Sequence, residues 1–141
     1  MAPALNSKQP DYSMHSILVV DDDDAMRETL AEALTHAGYT VFQCADGKDV
    51  VDALKKHPAE LLITDLFIEE TDGLGTIMNV RKEVPEMKII AMSGGTQLTD
   101  HDYLPIARRL GAHRTLHKPL NGPVLLKTIE ELLPPEKKAS G

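Results

Sequence analysis

Apolar residues in this chain fall into two patterns. Some form short continuous runs; others recur every three or four positions. Ile17-Leu18-Val19-Val20, Leu61-Leu62-Ile63 and Ile89-Ile90-Ala91-Met92 are runs too short for helices and rich in β-branched residues, and they read as interior strands of a parallel sheet. Tyr39 to Cys44 and Arg114 to His117 complete a set of five strands. Between the first two, Met26, Leu30, Ala33, Leu34 and Ala37 have helical spacing, with Asp24 as cap and Gly38 as stop. Asp49 to His57 forms the second helix, with Val50, Val51 and Leu54 inward and Pro58 closing it. Leu74 to Val84 forms the third, with Leu74, Ile77, Met78 and Val84 apolar and Pro85 ending it. Pro105 is tolerated only near a helix start, so the fourth helix is short, from Tyr103 to Leu110, with Gly111 past its end. Asn121 caps the fifth, which has Pro123 in its first turn and Val124, Leu125, Ile129, Leu132 and Leu133 inward.

Five strands alternating with five helices predict a parallel sheet covered on both faces. Right-handed crossovers restrict it to a doubly wound sheet, and the flavodoxin-like order 2-1-3-4-5 is the expected one. In that order strands 1 and 3 are neighbours where the winding reverses, and ligands of open α/β sheets bind at such strand ends.

The residues at those ends carry the chemistry. The first strand runs into Asp21 to Asp24, the third ends at Asp65, the fourth at Ser93, and the fifth at Lys118-Pro119. An acidic run after a strand often does no more than cap the next helix. Here Asp21, Asp22 and Asp65 are expected to converge, and three ionised carboxylates so close repel one another unless a cation intervenes. Mg²⁺ suits such a cluster, because it takes one or two carboxylates and fills its other positions with water and phosphate oxygens. Beside it Asp65 can act as a nucleophile toward a phosphoryl group, with Lys118 supplying charge and the Ser93 hydroxyl a hydrogen bond.

At 141 residues the chain suits one domain, and no stretch approaches the ~20 apolar residues that cross a bilayer. The net charge of −7 argues against direct, non-specific binding to nucleic acid. A lone cysteine, Cys44, and an N-terminus lacking the apolar centre of a secretory signal fit a cytoplasmic protein. The six histidines are scattered, so a histidine metal site is not expected. Residues 1–15 and 134–141 read as flexible tails around a domain at 16–133, with no output domain expected.

Taken in order, Ile17 to Asp23, Ile63-Thr64-Asp65, Asp72-Gly73, Ala91-Met92-Ser93-Gly94 and His117-Lys118-Pro119-Leu120 resemble the receiver domain of two-component response regulators, over about Ser16 to Leu133. The resemblance implies that Asp65 is the phospho-acceptor. It also implies that Asp22 and the Phe67 backbone carbonyl bind Mg²⁺ directly, that Asp21 helps through water, and that Ser93 and Lys118 contact the phosphoryl group. Lys118-Pro119 is implied to be cis. Two positions depart from the family pattern: Ile68-Glu69 stands where Met-Pro is usual, and Thr115 where an aromatic is usual.

By that resemblance the chain is a single-domain response regulator of the chemotaxis or relay type. It takes phosphate from a phosphohistidine on a histidine kinase or phosphotransfer protein and signals to a downstream protein through helix 4, strand 5 and helix 5. It is not an enzyme beyond slow self-dephosphorylation. Phe67 and Gly95, two residues beyond Asp65 and Ser93, offer no polar side chain to orient a hydrolytic water, so a long-lived phosphorylated form is expected. Two alternatives stand beside this reading. One is a small haloacid-dehalogenase-type phosphatase with Asp21 as nucleophile and Asp23 as acid/base; the other is a pseudo-receiver acting as an unphosphorylated interaction module.

Overall fold

The computed structural model describes residues 15–68, 71–93 and 105–134. Five strands, β1 (Ser16–Val20), β2 (Thr40–Cys44), β3 (Leu61–Asp65), β4 (Lys88–Ser93) and β5 (Arg114–His117), form one sheet. All its pairings are parallel, and the spatial order is β2-β1-β3-β4-β5, the doubly wound order expected. The helices are α1 (Asp24–His36), α2 (Val50–Lys56), α3 (Gly73–Glu83), α4 (residues 105–110) and α5 (Gly122–Leu132).

The two-residue period of a strand divides each apolar run between two cores. Leu18, Val20, Leu62, Ile89 and Ala91 face one side, where Val50, Leu54, Ile77, Val80 and Ala107 of α2, α3 and α4 cover them. Ile17, Val19, Leu61, Ile63, Ile90 and Met92 face the other, under Leu30 and Leu34 of α1 and Leu125 and Ile129 of α5. Being covered on both faces is what makes the central runs continuously apolar rather than alternating.

Several details differ from the expected pattern. Asp23, not Asp24, caps α1, its carboxylate accepting the Met26 N–H at 3.1 Å. The inward stripe of α1 is Leu30, Ala31 and Leu34, and Ala33 points outward. A 3₁₀ turn at Gly47–Asp49 precedes α2. Met78 and Val124 are apolar but about half exposed, so the inward placement expected for Val124 does not hold. Residues Phe67–Ile68 and Thr71–Asp72 form a two-residue antiparallel pair beyond the five expected strands. Asn121 caps α5 as expected, accepting the Val124 N–H at 3.0 Å. At the pole of the sheet where the strands begin, His15 joins both ends of the domain. One ring nitrogen lies 2.7 Å from Glu60 Oε1 and the other 2.8 Å from the Pro134 carbonyl oxygen.

Candidate functional site

The carboxyl ends of β1, β3, β4 and β5 meet at the opposite pole. Register places Asp65 beside Met92 and Ser93 beside His117. Each of these strands therefore delivers its terminal polar residue to one corner, and four hydrogen bonds to backbone carbonyls hold that corner in shape. The Asp21 N–H donates to the Cys44 carbonyl at 3.2 Å, the Leu66 N–H to Met92 at 2.9 Å and the Lys118 N–H to Ser93 at 2.9 Å. The fourth comes from the side chain of Arg27, whose guanidinium donates to the Asp21 carbonyl at 2.8 Å.

Asp21, Asp65 and Ser93 are buried and Asp22 is exposed. Asp21, Asp22 and Asp65 each bring a carboxylate oxygen within 4.8 Å of the others. Lys118 reaches into this cluster. Its Nζ donates to Asp21 Oδ2 at 2.7 Å and to Asp65 Oδ2 at 3.2 Å, and so partly offsets the charge of two buried carboxylates. Burial alone would lower the ammonium's pKa. The hydrogen bond from Lys118 to Asp21 and the charges of Asp65 and Asp21 outweigh burial and hold it above the ordinary lysine value, so Lys118 is a fixed cation at neutral pH. The second oxygen of Asp21 accepts the Asp23 N–H at 3.0 Å.

A cluster of hard oxygen donors, one of them on an exposed residue, suits a small divalent cation such as Mg²⁺. The Lys118–Pro119 bond is cis, as the resemblance implies.

These groups share one corner at the ends of four parallel strands, and a family model corresponds to that layout. The response regulator receiver domain model matches residues 17–130. The chain belongs to the response regulator receiver family. Among its relatives is the response regulator receiver protein CpdR of Brucella abortus, 30% identical over 120 residues that cover 85% of this receiver and 98% of CpdR. The probable transcriptional regulator ycf27 of Porphyridium aerugineum is 32% identical over 88% of this receiver. The receiver spans about half the length of that regulator, and 12% of the sensor kinase CckA of Brucella abortus, to which it is 30% identical. Among solved structures, the receiver domain of NtrX from Brucella abortus superposes with a TM-score of 0.75 at 26% identity, covering 83% of this receiver and 97% of that chain. Receivers are phosphoryl-accepting signalling modules of two-component systems that bind Mg²⁺ in an acidic pocket.

The structure brings Asp21, Asp22, Asp65, Ser93 and Lys118 of this receiver to the same strand-end pole, with the Phe67 backbone beginning the short antiparallel pair two residues past Asp65. Gly95, with the rest of residues 94–104, lies outside the described residues, as does Glu69. Thr115 sits in β5 opposite Ala91. Two contributors escaped the sequence pattern. Arg27 lies on the first turn of a helix, where an arginine ordinarily faces water, and no sequence signal marks it. Gly73 carries a signal that reads differently in three dimensions: Asp72-Gly73 suggests a turn. The structure instead requires its hydrogen, because a Cβ there would lie 2.5 Å from the Leu66 Cα and 2.6 Å from its carbonyl carbon.

Proposed function

We propose that Asp65 accepts a phosphoryl group from a phosphohistidine on a histidine kinase or phosphotransfer protein, and that the chain acts as a single-domain response regulator in the cytoplasm. The observation that carries this reading is Lys118 bridging Asp65 and Asp21 within the three-carboxylate cluster. An Asp65 oxygen attacks phosphorus, the P–N bond breaks and the imidazole leaves. Lys118 supports the negative charge on the phosphoryl oxygens, and the Ser93 hydroxyl donates to one of them. Asp22, Asp65 and the Phe67 carbonyl would hold Mg²⁺. Both Asp21 oxygens already accept hydrogen bonds, which suits a role through water. When bound, the metal supplies positive charge that offsets repulsion between the carboxylates and the incoming phosphate. Output through α4, β5 and α5, and tails at 1–15 and 134–141 around the domain, belong to the same proposal. Among the described residues no helix is long and apolar enough to cross a membrane.

The phosphatase reading fares worse. It needs Asp23 as acid/base, whereas Asp23 is exposed and its carboxylate is engaged as the α1 cap. Treatment with acetyl phosphate and Mg²⁺ tests the site, with intact mass and peptide mapping as readout. One added phosphoryl group on Asp65, absent in Asp65→Asn, is expected. Label on Asp21 would transfer the assignment to the phosphatase reading, and no label on any residue would support the pseudo-receiver.

A further inference from the structure

Arg27 stands outside the reacting groups yet is fixed more firmly than its position on a helix surface requires. Its side chain is 12% exposed and makes three contacts. One guanidinium nitrogen donates to the Asp21 carbonyl at 2.8 Å and meets Asp24 Oδ1 at 2.8 Å; Nε donates to Gln43 Oε1 at 3.1 Å. These partners come from the end of β1, the start of α1 and the edge strand β2. The carbonyl it holds belongs to the peptide linking Asp21 to Asp22, and the orientation of that peptide sets how the two carboxylates stand relative to each other. Beside this peptide, the Asp21 N–H bonds to the Cys44 carbonyl and the Asp23 N–H to Asp21 Oδ1.

We infer that Arg27 is a positioning residue for the cation site, locking the Asp21–Asp22 peptide so that Asp22 presents its carboxylate to the metal together with Asp65. This rests on the proposed assignment of the acidic cluster as the Mg²⁺ site. Orientation and charge make opposite predictions about Arg27. A guanidinium near a cation site repels the cation, so as a mere charge its removal would tighten Mg²⁺ binding. As an orienting group its removal loosens binding, in the manner of partners that orient metal ligands from the second layer. The Asp24 carboxylate on the same guanidinium largely cancels its charge, which leaves orientation as the larger effect.

Mg²⁺ alone, titrated into the full unphosphorylated chain by calorimetry, separates these cases. Arg27→Gln is expected to raise the Mg²⁺ Kd about tenfold. Arg27→Lys keeps the charge but reaches one acceptor at a time, and a weakening of about threefold is expected. Gln43→Leu leaves charge unchanged and removes one anchor of the guanidinium, and a loss of about twofold to threefold is expected. Melting in EDTA identifies a variant that has lost its fold; should Arg27→Gln fail to fold, Gln43→Leu decides. Unchanged or tighter binding in the folded variants, with the parent binding Mg²⁺ normally, overturns the inference alone. A parent that binds no Mg²⁺ overturns the site assignment and this inference with it.

Discussion

Replacing Gly73 by alanine adds a single methyl group at the start of α3, and the structure places it against backbone. The new carbon would lie 2.5 Å from the Leu66 Cα and 2.6 Å from its carbonyl carbon, about 1 Å short of a comfortable carbon–carbon contact. Neither neighbour can rotate away, as a flexible side chain would. Leu66 is buried and its N–H is bonded to Met92, so either the α3 start or the strand end must move. Overpacking of this kind costs about 1–3 kcal/mol, while alanine's helix preference returns at most ~1 kcal/mol and less at the first helical position. A net loss near 2 kcal/mol corresponds to a fall in Tm of roughly 5–10 °C for a domain of this length. Leu66 follows Asp65 directly, so any shift of the strand end also displaces the Asp65 carboxylate from Lys118. A displacement near 1 Å can slow a positioned reaction by up to ~100-fold, so labelling by acetyl phosphate should fall at least ~10-fold. Gly122→Ala is the control: nothing lies within 4 Å of a Cβ at that first position of α5, and a neutral or slightly stabilising change of up to ~0.5 kcal/mol is expected. The two variants are compared by thermal melting followed by circular dichroism and by intact mass against time. If Gly73→Ala melts with the parent and labels at the parent rate, the contact with Leu66 does not constrain the site and the reasoning fails.

Three further outcomes follow from the same geometry. Lys118→Met removes the cation between two buried carboxylates. After allowance for partial solvent screening it should destabilise the metal-free protein by about 1–3 kcal/mol, and added Mg²⁺ should stabilise the variant more than the parent; equal Mg²⁺ gains in urea melts would refute this. His113 accepts the Ile89 N–H on Nδ1 at 3.1 Å, and burial, then Arg81, Lys88 and Arg114, hold its pKa below the ordinary value. A lowered folded pKa means that the unfolded chain takes up the proton more readily, so this contribution is intact above about pH 6.5 and lost as pH falls below it. His113→Asn should flatten that acid limb in urea midpoints measured across the range, and an unaltered slope would count against it. Finally, the phosphorylated protein is expected to be long-lived, with Phe67→Asn shortening its lifetime by a factor of roughly ten, read as phosphate decay after donor removal. Decay of the parent within seconds, or no change in the variant, would refute that reading.

What the sequence determined by itself is the part governed by local periodicity and chain direction. Continuous runs such as Leu61-Leu62-Ile63 announce strands covered on both faces, and alternation with helices leaves few parallel topologies open. Because four of the five strands end at or just before a polar site residue, knowing the strand order was enough to bring Asp21, Asp22, Asp65, Ser93 and Lys118 to one pole. Which apolar residues of a helix face inward was less legible. Ala31 rather than Ala33, and the half-exposed Val124, depend on how far each helix is rotated against the sheet, which neighbouring elements set. Tertiary structure alone decided three things: that Lys118 spans Asp21 and Asp65, that Arg27 grips the Asp21 carbonyl, and that Gly73 is needed for the approach of α3 to Leu66. Each is a distance between residues far apart in the chain or on different elements. Such distances arise only when the packed layers fix the spacing of the backbone, and no local pattern encodes them.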